Sequence, residues 1–430
     1  MRAFSEYVQT LRTIVEAGLS DVADFRSSEV LTAALDGQPG RELRRLVSLD
    51  ERRLAGAFFT SSQLANSVVH DHLPNKPGVI ICDPACGVGD LLVAASQRLP
   101  VVDDLSTTLS IWAKQLRGYD IHEEFVKAAR LRLVLAALRR GSRCNHVTSV
   151  DKLTSLLTGV VKGDGLTANY DGVSAILMNP PYGGSSAPDD CSWATGNVSE
   201  AALFTAALMN RVAANTKLVA ILPDVLRAGS RYARWREYLQ HLVRVDSIHM
   251  VGLFDNWTDV DVFLLCGKRA SHDAKLKRAT WWPDQGRHSR VADFFDVHVG
   301  PVVPHRDPKS GPWRRFVHAR LVPPWKRYDV MHAPSRRFDR RTFLPPFVVI
   351  RRTSRPDDGH RAIGTILTGT KRVAVENHLI VALPRTRGLE ACIELLALLK
   401  TDVTTAWLNA RIRCRHLTVG AVADIPWIEH

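Results

Sequence analysis

Apolar residues Phe4, Val8, Leu11, Ile14 and Val15 recur at helical spacing, so residues 1–55 read as a helical segment. From residue 78 onward the period alternates. Short apolar runs "GVIIC", "LRGYD", "GVSAILM", "KLVAILP", "RVDSIHMVG" and "VDVFLLCGK" predict strands. Between them, "GDLLVAASQRL", "EEFVKAARLRLVLAALRR", "SEAALFTAALMNRVA" and "RYARWREYLQHLV" predict helices. "VVDDLSTTLSIWAKQ" reads as an insertion ahead of the second strand. Alternation of this kind implies an open, mostly parallel α/β sheet with helices on both faces, whose ligands sit at the carboxyl ends of the strands. Past residue 270 the texture changes to clusters such as "WWPDQG", "PVVPHRDPKSGPW" and "FLPPF", with a later helix at "LEACIELLALLKTDVTTAWLNARI". The expected division is 1–55, 56–270 and 271–430, the last a mixed α+β domain.

Charge sharpens that division. Residues 270–430 hold 28 Lys and Arg against 15 Asp and Glu, which is the whole net charge of +13; the preceding residues hold 29 of each sign. Confinement of the excess to one region points to a polyanion-binding module. The seven cysteines include no CxxC pair and read as reduced thiols, so no metal is expected. No apolar run approaches the ~18 residues of a membrane span, and the N-terminus lacks a signal-peptide core, so a cytoplasmic protein is expected, with no membrane partner.

Two stretches carry candidate chemistry. In "VIICDPACGVGDLL" a strand ends at Asp83, a tight turn uses Gly87 and Gly89, and a helix begins near Asp90. Acids in that turn repel phosphate and attract ammonium and hydroxyl groups, which suits the amino acid and ribose of S-adenosylmethionine. Asp120, closing the second strand, is placed to bind ribose hydroxyls, or alternatively to cap the following helix. In "NPPYGG" two prolines freeze an amide and a carbonyl where a strand ends. Glycines 183 and 184 hinge this lip, and "SSAPDDCSWATG" reads as a mobile loop.

These stretches resemble motifs I and IV of S-adenosylmethionine-dependent N6-adenine DNA methyltransferases. "GAFFTSSQLANSVV" resembles motif X, with Ser61 where proline is usual; "VKGDGL" resembles motif III, "LVAILPDVL" the strand after motif V, and "GLFDNWTDVDVFLL" motif VIII. The order X, I, IV with a long tail is similar to the gamma group, of which TaqI is the type. "DVHVGPVVPHRD", "PPFVVIRRTSR", "ENHLIVALP" and "HLTVGAVADIPW" resemble its target-recognition domain.

The resemblance implies a Rossmann-like methyltransferase domain with a mostly parallel seven-stranded sheet, followed by a DNA-recognition domain. It implies cofactor contacts from Phe59, Thr60, Asp83, Ala85, Gly87, Gly89, Asp90, Asp120, Ile121, Asp164, Gly165 and Asn179. Asn179, Pro180, Pro181 and Tyr182 form the catalytic lip, with Tyr182 and either Phe254 or Trp257 stacking on an extruded adenine of double-stranded DNA. Arg314, Arg315, Arg336, Arg337, Arg351, Arg352 and Arg355 are the candidate DNA contacts, Arg351 and Arg352 foremost. Any restriction endonuclease is expected on a separate chain. Cytosine N4, an RNA base or a protein glutamine as methyl acceptor, and an inactive DNA-binding specificity subunit, are the competing readings.

Overall fold

The computed structural model describes residues 2–20, 25–54, 56–73, 78–144, 148–254, 260–271, 277–282 and 289–428. The chain divides into two compact units. The first holds Met1–Pro223 and Arg234–Ala279, the second Asp224–Ala233 and Thr280–His430.

The first unit is built on a seven-stranded sheet. Its strands in chain order are β1 (Ile81–Asp83), β2 (Leu116–Asp120), β3 (Val160–Lys162), β4 (Ala175–Met178), β7 (Lys217–Pro223), β8 (Val243–Leu253) and β9 (Asp261–Arg269); β5 (Gly184–Ser186) and β6 (Asn197–Ser199) form a separate ribbon. The spatial order is β3-β2-β1-β4-β7-β9-β8. Pairing is parallel from β3 to β7, and β9 alone runs antiparallel to both its neighbours. Strands β4 and β7 are buried almost throughout, which explains their continuous rather than alternating apolar pattern. The stretch read as an insertion holds a helix, Leu105–Ala113, capped by the Asp104 side chain on the Thr107 amide. The loop expected to be mobile after the lip is pinned instead by the β5–β6 ribbon, with Gly184 paired to Ser199.

The N-terminal segment is not a separate body. Helix α1 (Ser5–Ser20) buries Tyr7, Leu11, Ile14 and Val15 in the same core as the sheet's helices. A buried cation completes the attachment. Arg132, on helix α2 (Glu123–Arg139), is 1% exposed. Its guanidinium donates to the carbonyls of Ala34 (2.9 Å), Leu35 (3.1 Å) and Val88 (2.7 Å) and to Asp90 Oδ1 (2.8 Å).

The second unit holds a five-stranded sheet and a three-stranded sheet. The first uses β10 (Phe295–Val299), β12 (Arg327–Asp329), β14 (Phe347–Arg351), β15 (Gly364–Thr368) and β17 (Leu379–Pro384); the second uses β11 (Trp313–Val317), β13 (Ser335–Arg337) and β16 (Val373–Val375). Helix Gly388–Leu399 packs its apolar face on the larger sheet's core. The short segment Asp224–Ala233 belongs here although it directly follows β7. Asp224 and Arg227 form a buried ion pair (2.6 Å); Arg227 donates to the carbonyls of Trp281 and Ala410, and Asp224 accepts from the Arg413 amide (2.8 Å). No periodicity marks such a segment in the sequence, because its allegiance rests on two polar side chains. Among the described residues no helix is long and apolar enough to cross a membrane.

Removing one partner of a buried pair strands the other, so Arg132→Met is expected to destabilise the first unit by roughly 3–5 kcal/mol in urea unfolding. The double variant R132M/D90N should recover a large part of that loss. A single-variant loss under about 1 kcal/mol would show that this guanidinium is not a structural tie.

Candidate active site

The glycine turn is fixed by bonds to neighbouring strands. The Asp83 carboxylate, 2% exposed at the end of β1, accepts from the Ala85 amide at 3.2 Å. Gly89 has φ +81°, and a Cβ there would stand 3.0 Å from that of Ala129, so the turn into helix α3 (Asp90–Ser96) requires glycine. Asp120 ties the turn to β2: Oδ2 accepts from Gly87 N (3.0 Å) and Oδ1 from His122 N (2.8 Å). The capping position of helix α2 is His122, so Asp120 supports the turn rather than capping the helix. Burial pushes the carboxyls of both Asp83 and Asp120 upward, and the backbone amides pull them partly back.

Asp90, expected beside an ammonium group of the cofactor, has its carboxylate paired with Arg132 at 2.8 Å. Burial raises its carboxyl, while Arg132 and the Thr60 amide draw it down. Its charge is taken up by Arg132.

A cavity of about 350 Å³ opens at the carboxyl ends of the strands. Phe59, Ala85, Gly87, Asp120, Ile121, Asp164, Gly165 and Asn179 all line it, as the sequence suggested, together with Pro181. Thr60, Asp83, Gly89 and Asp90 stand behind its wall and hold it. Asp164 Oδ1 accepts from Leu166 N at 2.8 Å, which orients the carboxylate at the end of β3. Sequence reading missed Phe125, Glu200, Leu203 and Phe204, which also line the cavity. Helix α4 (Glu200–Arg211) brings the last three there, and its periodicity signals only a buried face.

The lip follows β4. Asn179 Nδ2 donates to the Phe58 carbonyl (3.0 Å) and to Thr60 Oγ1 (3.1 Å). A carbonyl only accepts, so the nitrogen must face Phe58 and the oxygen must face the other way. That oxygen, Oδ1, is buried and has no partner. A buried acceptor left unsatisfied costs about 1–3 kcal/mol. Gly56, at φ +57°, lies so close to Pro181 that a Cβ would fall 2.4 Å from the proline Cβ, which seats the turn of residues 56–60 directly on the lip.

Tyr182 has a half-buried ring and a buried hydroxyl without a partner. Its parallel neighbour is Phe58, with centroids 5.9 Å apart and planes at 22°. Phe254 is 4% exposed and meets Tyr182 edge-on, at 5.8 Å and 76°. The expected slot between Tyr182 and Phe254 is therefore not formed: Phe254 packs into the core, and the ring that backs Tyr182 is one the sequence reading passed over. Trp257 lies outside the described residues.

The candidate DNA arginines of the second unit separate into two groups. Arg336 is buried at 9% exposure, donates to the Asp307 carbonyl (3.0 Å) and lies over the Phe316 ring. Arg315 donates to Ala333 O, Arg351 to Val322 O, and Arg352 to the carbonyls of Leu417 and Asn377; all three are half-buried, as is Arg314. The pair placed foremost, Arg351 and Arg352, is thus occupied in fastening loops of its own unit. Arg337 and Arg355 are exposed. All seven cysteines are free thiols, and among the described residues no group of three or more His, Cys, Asp or Glu is arranged to hold a metal.

Comparison with known proteins agrees with this geometry. Residues 45–275 match the N-6 DNA Methylase family. Over 190 residues the chain is 30% identical to the type II restriction enzyme and methyltransferase RM.BcgI of Heyndrickxia coagulans, covering 42% of this chain but only 27% of that protein. Among solved structures, the type IIL restriction-modification enzyme MmeI in complex with DNA superposes with a TM-score of 0.52 at 12% identity, over 90% of this chain and 70% of that one. The type IIG restriction endonuclease BpuSI gives 0.46 at 14% identity, over 91% and 61%. The match spans more than half of the chain and includes both the glycine turn and the lip, and the chain belongs to the N-6 DNA methylase family.

Proposed function

We propose that the chain is a site-specific DNA methyltransferase that moves a methyl group from S-adenosylmethionine to the N6 amine of an adenine extruded from double-stranded DNA. The observation that carries this reading is the unpartnered Oδ1 of Asn179 beside the cavity. The cavity's residues fit the cofactor: carboxylates Asp120 and Asp164 near strand ends, a glycine turn and apolar walls match a nucleoside joined to an amino acid. When bound, S-adenosylmethionine supplies an electrophilic methyl group on sulfur.

The chain's own residues supply positioning. Adenine's exocyclic amine is a weak nucleophile because its lone pair is delocalised into the ring. Asn179 Oδ1 accepts one N6 hydrogen and the Pro180 carbonyl the other, which directs the lone pair out of the ring plane. Held in this way, the amine would face a methyl donor seated in the cavity, and the proton it gives up would pass to solvent. Because the amide is already clamped by Phe58 and Thr60, little reorganisation is required, and catalysis is mainly orientation and electrostatics. The Tyr182 ring, stiffened from behind by Phe58, offers its other face to the base. The second unit, carrying the net positive charge, serves as target-recognition domain in the gamma, TaqI-like arrangement. Likeness to a combined restriction enzyme and methyltransferase supports a restriction–modification setting, with nuclease activity supplied from outside these residues.

Asn179→Ala should lower single-turnover methylation of duplex DNA by about 10²–10³-fold, the usual cost of one preorganised contact. Binding of S-adenosylhomocysteine should change far less, and an equal loss of both would contradict the role given to the amide. Recovering N6-methyladenine from the product DNA, rather than N4-methylcytosine, tests the target base directly. Tyr182→Phe removes a buried hydroxyl that has no partner, so Tm should hold or rise and activity should persist; Tyr182→Ala should lose turnover. A marked drop in Tm for the phenylalanine variant would mean that the hydroxyl has a partner in solution.

A further inference from the structure

The carboxylates that line the cavity stand on two sides of β1. Asp120 and Asp164 follow β2 and β3, whereas Glu200 stands with Asn179, Pro181 and Ser185 on the side of β4 and the lip. The first two are partly committed. Asp120 accepts from two backbone amides, at 3.0 Å and 2.8 Å, and Asp164 from one, at 2.8 Å. Among the described residues no hydrogen bond or ion pair engages the Glu200 carboxylate, and burial alone pushes it upward.

Glu200 is nevertheless firmly placed. Its backbone amide donates to the Gly183 carbonyl at 2.9 Å. A Cβ on Gly183 would fall 2.5 Å from Glu200 Oε2, so the carboxylate lies against the residue that follows Tyr182. Its position in the first turn of helix α4 favours the ionised form. A half-buried carboxylate that meets no cation in the free protein is a ready counter-charge for one that enters the cavity.

The chemistry of the methyl donor specifies that cation. The methyl group must face Asn179 to be transferred, so the sulfur belongs at the lip end of the cavity, and the amino-acid arm with its ammonium group starts at that sulfur. The acids that the sequence offered to the ammonium are withdrawn. Asp90 is paired with Arg132, and Asp83, 2% exposed, stands behind the wall. We propose that Glu200 is a cofactor-binding residue whose carboxylate pairs with the ammonium group of S-adenosylmethionine. The inference rests on the methyltransferase reading, and it gives helix α4 a role in cofactor binding that its buried-face periodicity does not signal.

The test uses the full-length protein and reads binding rather than turnover. S-adenosylhomocysteine keeps the ammonium group; methylthioadenosine keeps the nucleoside and the sulfur but lacks the amino-acid arm. E200Q removes the charge at nearly constant size, and its Tm should hold because the carboxylate has no partner to lose. In calorimetric titration E200Q should raise the Kd for S-adenosylhomocysteine by about 10- to 100-fold, the usual cost of one charge-assisted hydrogen bond, and leave that for methylthioadenosine essentially unchanged. E200D, which keeps the charge, should recover part of the loss. Unchanged affinity of E200Q for S-adenosylhomocysteine overturns the assignment. So does an equal loss for both ligands, which would mean a contact to the nucleoside or a disturbed cavity. If the wild type binds neither ligand, the methyltransferase reading fails first, and the two failures are thereby told apart.

Discussion

One run of polar contacts sets the geometry of the catalytic lip. Arg132 is held in the core by three backbone carbonyls and bonds Asp90, whose carboxyl the nearby Thr60 backbone amide draws down; Thr60 Oγ1 accepts from Asn179. At the end of the run Asn179 Oδ1 is buried without a partner. A guanidinium buried at 1% exposure is costly unless its donors are satisfied, and here four bonds satisfy it. The result is an amide whose nitrogen is fixed from behind and whose oxygen has a single remaining use. The energy withheld from that oxygen is recovered when a hydrogen-bond donor reaches it.

The same run explains why the N-terminal helices are part of the catalytic unit. Arg132 reaches the carbonyls of Ala34 and Leu35 as well as the glycine turn, so the segment before residue 55 and the cofactor cradle share one cation. Phe4 adds an apolar counterpart, meeting Phe59 at 6.0 Å and Phe125 at 5.2 Å. Displacing these helices would expose the aromatic wall of the cavity and unseat Thr60. The segment is thus a clamp on the cavity's rear wall.

Most of the sheet was legible in the sequence because its strands are short, apolar and bounded by turns. Lys217–Pro223 reads as "KLVAILP" with its limits intact. The glycine turn and the lip were legible for a different reason: glycine at positive φ and consecutive prolines leave few alternative backbones. What escaped was side-chain geometry between distant segments. Arg132 stands in "AARLRLVLAAL" as one cation in an apolar stretch, a signal noticed only when one asks where its charge is spent. Phe58 and Phe59 are adjacent and indistinguishable in sequence, yet one backs Tyr182 while the other lines the cavity. Phe254 was placed in the right neighbourhood, but a sequence carries no information on whether a ring lies flat or edge-on.

The basic tail shows the limit of reading charge by count. Arg361 is fully buried and donates to the carbonyls of Ile412 and Cys414; Arg411, 5% exposed, bonds Asp424 and lies 3.7 Å from the Trp282 ring centroid. With Arg227 and Arg336 they form a set of internal guanidinium ties in a unit whose loops are rich in proline and poor in helix. A planar fork with five donors can bridge several orphan carbonyls at once, which a lysine cannot. Such cations still contribute to the long-range field around the unit, although their donors are spent on its own carbonyls. Field and surface contact are therefore separable here: the field follows all the arginines, whereas of the seven singled out in the sequence Arg337 and Arg355 are the exposed ones.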